Sequence, residues 1–313
     1  MQNNQSRVLA YGAMSAVLFV ILVLMTLFLP VVSVITLFLV PLPIAWYRTK
    51  FDRRSAIFVA VVSMLLGVLL GTIFAIPLVL SMALIGLFMG DFIAQKYSRF
   101  AIFVTTGIII FVSTIAMYAV SIWLFNLNVV KELLSATRKQ YEQMNEIFMK
   151  SAGQEAITPE MLDKTMQTFE TLMPMMVIIS TFLIAFVMTT VCLSLLKKLG
   201  VDVPKFPPFK DFRLPRFVLF AYLPVLAVKL FSTPEAGSSL DLFVSNIDLI
   251  LNALFILQAL SFIQYILAAK NISKYVGVLI FVILLPFLPL LVLLGILDLG
   301  FNIRGYITSN TKK

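Results

Sequence analysis

Lys229, Asp241, Ser245, Asp248 and Asn252 are the residues whose types and spacing could do chemistry, because they are polar or charged groups set in or beside long apolar stretches. A charged side chain at membrane depth is costly, so such groups pair with one another or mark a solute or ion pathway. Counted from Asp241, the polar residues recur at offsets of 4, 7 and 11, which places all four on one face of a helix. A Lys229–Asp248 or Lys229–Asp241 pair would relieve the desolvation of both partners. Two readings stay open for this face: a structural ion pair with inter-helix hydrogen bonds, or the polar wall of a ligand cavity that opens outward. Gln258 and Gln264 follow deeper in the same apolar run. Asp91, close to Lys96, reads as an anchor at a membrane boundary, and Asp298 reads as another boundary marker.

Other chemistry is excluded by what the chain lacks. It has no His and one Cys, Cys192. Without His there is no Ser–His or Cys–His nucleophile pair and no zincin motif. A lone Cys gives no intramolecular disulfide, and Cys192, in an apolar run, reads as a small buried hydrophobe. The glycines never assemble as a phosphate-binding GxxxxGK[ST] loop. The acids are too scattered to supply an acid/base pair. The expectation is therefore a chain that is not an enzyme, with no catalytic residues, no metal site and no cofactor.

Small residues recur at four-residue spacing: Gly12 and Ala16, then Ser63, Gly67 and Gly71, then Gly86 and Gly90. In lipid, helices gain little from hydrophobic association, so close backbone approach over small residues supplies the packing. These faces either pack helices within the chain or form a smooth coupling surface for a partner membrane protein.

The elements that must carry these residues follow from composition. Of 313 residues, 61% are hydrophobic and 12% charged, and the mean hydropathy is +1.03. A water-soluble chain of this length cannot hide that much apolar surface, and disorder requires the opposite composition. Apolar runs of the roughly 20 residues needed to cross a bilayer fall at 8–29, 31–47, 55–71, 76–94, 100–125, 172–196, 217–231, 249–269 and 276–297. The seventh is short, and the last holds Pro286 and Pro289 and is expected to kink or break. The first reads as a retained span, since no small-residue cleavage site follows it. The expected fold is all-α: a polytopic bundle of about 8–9 transmembrane helices.

Lys and Arg cluster in every second connection, at Arg48 to Arg54, at Lys96 and Arg99, from Lys197 to Arg216, and at Lys270 and Lys274. The positive-inside rule then puts the N-terminus in the cytoplasm of a cell-membrane protein. Nine spans would leave Arg304, Lys312 and Lys313 outside, which sets the span count against the tail's charge. The net charge of +9 reflects these loops and implies no nucleic-acid partner.

The connection 127–171 is the sizeable polar segment, and alternation makes it extracellular. Between 127 and 170 it carries five Lys/Arg against seven Asp/Glu. Val130, Leu134, Tyr141, Met144 and Phe148 recur at helical spacing, Gly153 interrupts, and Thr158-Pro159-Glu160 reads as a new helix start. The expectation is a helical hairpin, either a packed extension of the bundle or a lid over an external site. The link 199–216 differs: Pro204, Pro207, Pro208 and Pro215 forbid a continuous helix. Its Phe206, Phe209 and Phe212 beside Lys205, Lys210 and Arg213 suit a segment that touches anionic headgroups or docks a cytoplasmic partner. It divides the chain into a six-span part, 1–198, and a part of two or three spans, 199–313.

The Val8–Val17 run, the Pro41-Leu42-Pro43 turn, the Gly86-Leu-Phe-Met-Gly90-Asp91 segment and the closing Leu294–Arg304 run resemble the YybS-type family, multispanning membrane proteins of Gram-positive bacteria with no assigned activity. More distantly, 1–198 is similar in layout to the substrate-binding S components of energy-coupling-factor transporters. That likeness implies six spans, a cytoplasmic N-terminus, an outward-facing pocket, and a coupling contact at Gly12-xxx-Ala16. The chain departs from those components in 199–313 and in its long outer hairpin. The resulting expectation is a transporter-like protein that binds a small solute from outside, with Lys229, Asp241, Asp248 and Asn252 at the site. Its partners would be the lipid bilayer and other membrane proteins, either transporter coupling subunits or envelope factors. The alternative is a non-transporting scaffold or an assembly or regulatory factor of the cell envelope.

Overall fold

The structure is a computed structural model that describes residues 2–72, 75–152, 158–232, 234–235, 237–301 and 303–305. Gly153, Lys312 and Lys313 lie outside the described residues, as does the side chain of Lys274. Among the described residues every regular element is helical. The helices are α1 (Gln2–Phe28), α2 (Pro30–Leu39), α3 (Leu42–Lys50), α4 (Arg53–Leu70), α5 (Ile76–Ala94), α6 (Arg99–Phe125), α7 (Val129–Ala152), α8 (Pro159–Lys198), α9 (Phe217–Phe231), α10 (Ser239–Ala269), α11 (Lys274–Leu284) and α12 (Leu288–Phe301).

Local chemistry sets many of these limits. Asp52 accepts a hydrogen bond from the Ser55 N–H at 3.0 Å and starts α4, as Ser98 and Ser238 start α6 and α10. The Thr158 hydroxyl accepts from the Met161 N–H at 3.3 Å, and Pro159 follows as the first helical residue. Pro41 and Pro43 lack amide hydrogens, so the second apolar run is split into α2 and α3 at a turn. Pro286 has the same effect on the last run, where a single 3-10 turn, Leu285–Phe287, separates α11 from α12.

Eight stretches among the described residues are long and apolar enough to cross a bilayer: Gln5–Phe28, Pro30–Lys50, Arg53–Leu70, Ile76–Ala94, Arg99–Phe125, Pro159–Lys198, Ser239–Ala269 and Tyr275–Phe301. Helix α9 is shorter. With 40 residues α8 is about 60 Å long, twice the hydrocarbon thickness, so part of it must emerge from the bilayer. The outer faces carry large apolar side chains in the open, among them Val31, 93% exposed, and Trp123, 82% exposed. Water would not tolerate so continuous an apolar exterior, and lipid does.

The chain forms two compact units, Met1–Glu132 with Val177–Phe206, and Leu133–Met176 with Pro207–Lys313. In the first, Phe19 and Val23 of α1, Ile44 of α3, Val79 and Met89 of α5, and Met188 and Leu193 of α8 share one core. A Cβ on Gly86 or Gly90 would come within 2.6 Å of the Pro41 or Ala45 carbonyl oxygen, so α5 lies directly on the backbone of α3. Cys192 is buried, and its thiol donates to the Phe38 carbonyl at 3.2 Å.

In the second unit, α10 packs most extensively on α12. Val218 and Val225 of α9, Leu251 and Phe255 of α10, and Leu299 of α12 form its main core. Gly295 of α12 rests on the Phe255 carbonyl with no space for a side chain. The hairpin residues 133–176 belong to this unit, where Arg138 of α7 reaches Asp163 of α8 at 2.5 Å.

Candidate functional site

Helix α9 places Lys229 in its last turn, and α10, which starts at Ser239, presents Asp248 as its tenth residue. Lys229 Nζ lies 2.7 Å from Asp248 Oδ2, and Asn252, one turn further along α10, donates to the same oxygen at 3.1 Å. Asp248 Oδ1 is buried and has no hydrogen-bond partner among the described residues. The lysine side chain is 49% exposed, while the aspartate is only 13% exposed. The cation can reach the surroundings, whereas the carboxylate is largely enclosed.

Asp241 does other work. It accepts from the Gly237 N–H and the Ser245 hydroxyl, both at 2.9 Å, and so ties up the first turn of α10. Of the two pairings expected for Lys229, the structure forms the one with Asp248. Lys229, Asp248 and Asn252 come together, and Asp241 is turned to its own helix.

A second polar centre was not foreseen. Arg304 and Asp298 are 1% and 4% exposed and form an ion pair, with Nη2 2.8 Å from Oδ2. The guanidinium also donates through Nη1 to the carbonyls of Lys210 at 2.7 Å and Phe212 at 3.2 Å, and through Nη2 to Ser261 Oγ at 3.2 Å. Gln258 Nε2 donates to Asp298 Oδ2 at 2.5 Å, and Gln258 Oε1 accepts from the Leu214 N–H at 2.8 Å. The Ser261 hydroxyl is shared between the carbonyls of Phe209 and Phe212. The proline-rich segment 207–216 is thereby fastened to α10 and to Arg304, just past the end of α12. Removing a carboxylate and a guanidinium from water costs several kcal/mol each, and a full set of hydrogen bonds is what makes such a pair tolerable. Asp298 is the buried counter-ion of Arg304. The available signal was Gln258, a polar residue inside an apolar run, whose partners Asp298 and Leu214 lie 40 and 44 positions away in sequence.

Asp91 is also re-partnered. It pairs with Arg48 at 2.7 Å and Arg53 at 3.7 Å, and accepts from Gln95 at 2.5 Å. Lys96 adopts a left-handed conformation at φ 59° just past the end of α5.

The small-residue faces are occupied from within the first unit. A side chain at Gly12 would meet Val59 and Tyr47, and Ala16 is buried with Tyr47, Ala56 and Val59. Ser63 is buried and its hydroxyl donates to the Val59 carbonyl at 2.7 Å. Gly67 faces Val79 and Phe19, and Gly71 faces Ala75 and Leu27. Together with Gly86 and Gly90 of α5, which pack on α3, the glycines let elements of the same unit approach closely.

Long apolar helices, an apolar exterior and charges that are sequestered in pairs define a multi-pass α-helical integral membrane protein. The chain belongs to the DUF2232 family of predicted membrane proteins, whose sequence profile matches residues 17–299. It is similar to the uncharacterised protein YybS of Bacillus subtilis (strain 168), at 26% identity over 307 residues that cover 96% of this chain and 99% of that protein. No solved structure matches it.

Proposed function

We propose that the chain is a transporter-like protein of the cell membrane that binds a small polar solute at Lys229, Asp248 and Asn252. The observation that carries this reading is the buried, unpartnered Oδ1 of Asp248. Buried polar atoms are almost always hydrogen-bonded, so an exception marks capacity held in reserve. A solute offering an ammonium or hydroxyl donor would satisfy Oδ1, and the half-exposed Lys229 ammonium would take an acceptor on the same molecule. No covalent step is involved, so the protein acts by binding rather than as an enzyme. The alternation of Lys and Arg supports a cytoplasmic N-terminus.

Binding to the folded state raises its stability. Purified protein in detergent should therefore melt at a higher temperature with some member of a panel of small amine- and hydroxyl-bearing metabolites. Asp248→Asn should abolish that shift, and Lys229→Met should reduce it. A panel-wide absence of any shift, or an equal shift in Asp248→Asn, would overturn the reading.

A second reading, an envelope scaffold, draws on the hairpin. Leu133, Ile147, Phe148 and Met149 of α7 and Met161 in the first turn of α8 are exposed. Site-specific crosslinkers at Ile147 and Met161 in cells would capture one protein reproducibly under this reading, and none under the solute-binding one.

A further inference from the structure

The segment 207–216 is not a loose linker. Four of its backbone groups are held by the buried side chains of Gln258, Ser261 and Arg304. That anchoring fixes what the segment shows to the outside. Phe209 and Phe212 stack at 6.1 Å between ring centroids and remain 46% and 36% exposed. Lys210, Arg213 and Arg216 are exposed beside them. Arg213 and Arg216, with Leu214, Gln258, Asp298 and Leu299, line a pocket of about 130 Å³. This volume is well below the several hundred Å³ typical of metabolite sites, and it suits a single small charged group. Asp298, which also lines the pocket, is paired with Arg304, and Arg213 and Arg216 bring basic groups to it.

We propose that this segment is a binding site for an anionic phospholipid, with the lipid phosphate between Arg213 and Arg216 and the Phe209–Phe212 pair inserted among the acyl chains. Three features on one short stretch favour a lipid over another occupant. Basic groups near a membrane surface are attracted to anionic headgroups. Exposed aromatic rings beside them favour the headgroup–acyl boundary over water. The chain is already embedded in a bilayer, so this ligand is present at every moment. Attachment to α10 and Arg304 means little ordering is needed when the lipid binds.

The test uses full-length protein in detergent micelles, titrated with phosphatidylglycerol or phosphatidylcholine and read by native mass spectrometry. Wild-type protein should retain phosphatidylglycerol in preference to phosphatidylcholine. The Arg213→Gln/Arg216→Gln variant should bind phosphatidylglycerol about tenfold more weakly. Arg138→Gln/Lys139→Gln, which removes the same charge from the hairpin, should bind like wild type. Phe209→Ser/Phe212→Ser should weaken retention while keeping the preference for phosphatidylglycerol. Unchanged retention in the Arg213/Arg216 variant would overturn the proposal. So would equal loss in the hairpin control, or displacement of the lipid by millimolar inorganic phosphate, which would mark a general anion site.

Discussion

Two acid–base pairs of the second unit, Arg304–Asp298 and Lys229–Asp248, have the same chemistry and opposite surroundings. Arg304–Asp298 is sealed, and its groups engage Gln258, Ser261 and two backbone carbonyls. Lys229–Asp248 is half open and leaves one carboxylate oxygen without a partner. The difference separates architecture from reactivity. A pair whose hydrogen-bonding capacity is spent holds helices in place, and a pair with capacity left over can receive something. Small-residue packing falls on the architectural side, since each glycine face is filled by a neighbour of its own unit.

The largest effect should come from breaking the sealed pair. Arg304→Met leaves Asp298 buried and uncompensated, and should cost about 3–5 kcal/mol of stability in thermal unfolding in detergent. Adding Asp298→Leu to Arg304→Met should recover a good part of that loss, because the orphaned charge disappears. A double variant as unstable as the single one would show that the hydrogen bonds to the 207–216 segment matter more than the charge balance.

Gly295→Val probes the close approach of α10 and α12 that brings Asp298 to Gln258. The new side chain would collide with the Phe255 carbonyl, and overpacking of this kind costs about 1–3 kcal/mol. No loss would mean that the two helices can separate without harm to the buried pair.

A third carboxylate, Asp52, sets the scale for a group in water. Hydrogen bonds from the Ser55 backbone and hydroxyl hold its carboxyl below the ordinary carboxylate range. Its folded pKa is lowered, so the stability it contributes is fully present above the unfolded-state pKa and is lost as pH falls through the folded value. Asp52→Ala should cost about 1 kcal/mol near neutral pH, and the gap to wild type should close in acid.

Lys229→Met should have the smallest effect on stability, about 0–1 kcal/mol, because the ammonium is half-exposed and the enclosed Asp248 keeps its hydrogen bond from Asn252. Its effect on solute binding should be far larger than its effect on melting. If Lys229→Met were as damaging to the fold as Arg304→Met, the contrast between the two pairs would fail.

The helical spans were legible because each is a local run of about twenty apolar residues, and the start at Thr158-Pro159 was legible because capping is a local rule. The Lys229–Asp248 contact was legible as one of two options, since the two groups lie on consecutive helices with few polar competitors. The Arg304 cluster was not. It joins Arg304 to Lys210 and Phe212 through backbone carbonyls, which carry no residue-specific signal. Charge counting also assigns any terminal arginine to a solvated tail. Asp91 shows the same limit, for its main partner, Arg48, lies 43 positions away.

The enclosed Cys192 has a practical consequence. It is the chain's one thiol, and α8 and Phe38 shield it from reagents. A membrane-permeant maleimide should leave the native protein unlabelled and tag it only when the first unit opens, so the natural sequence carries its own unfolding gauge. A cysteine introduced elsewhere could then be labelled against a silent background.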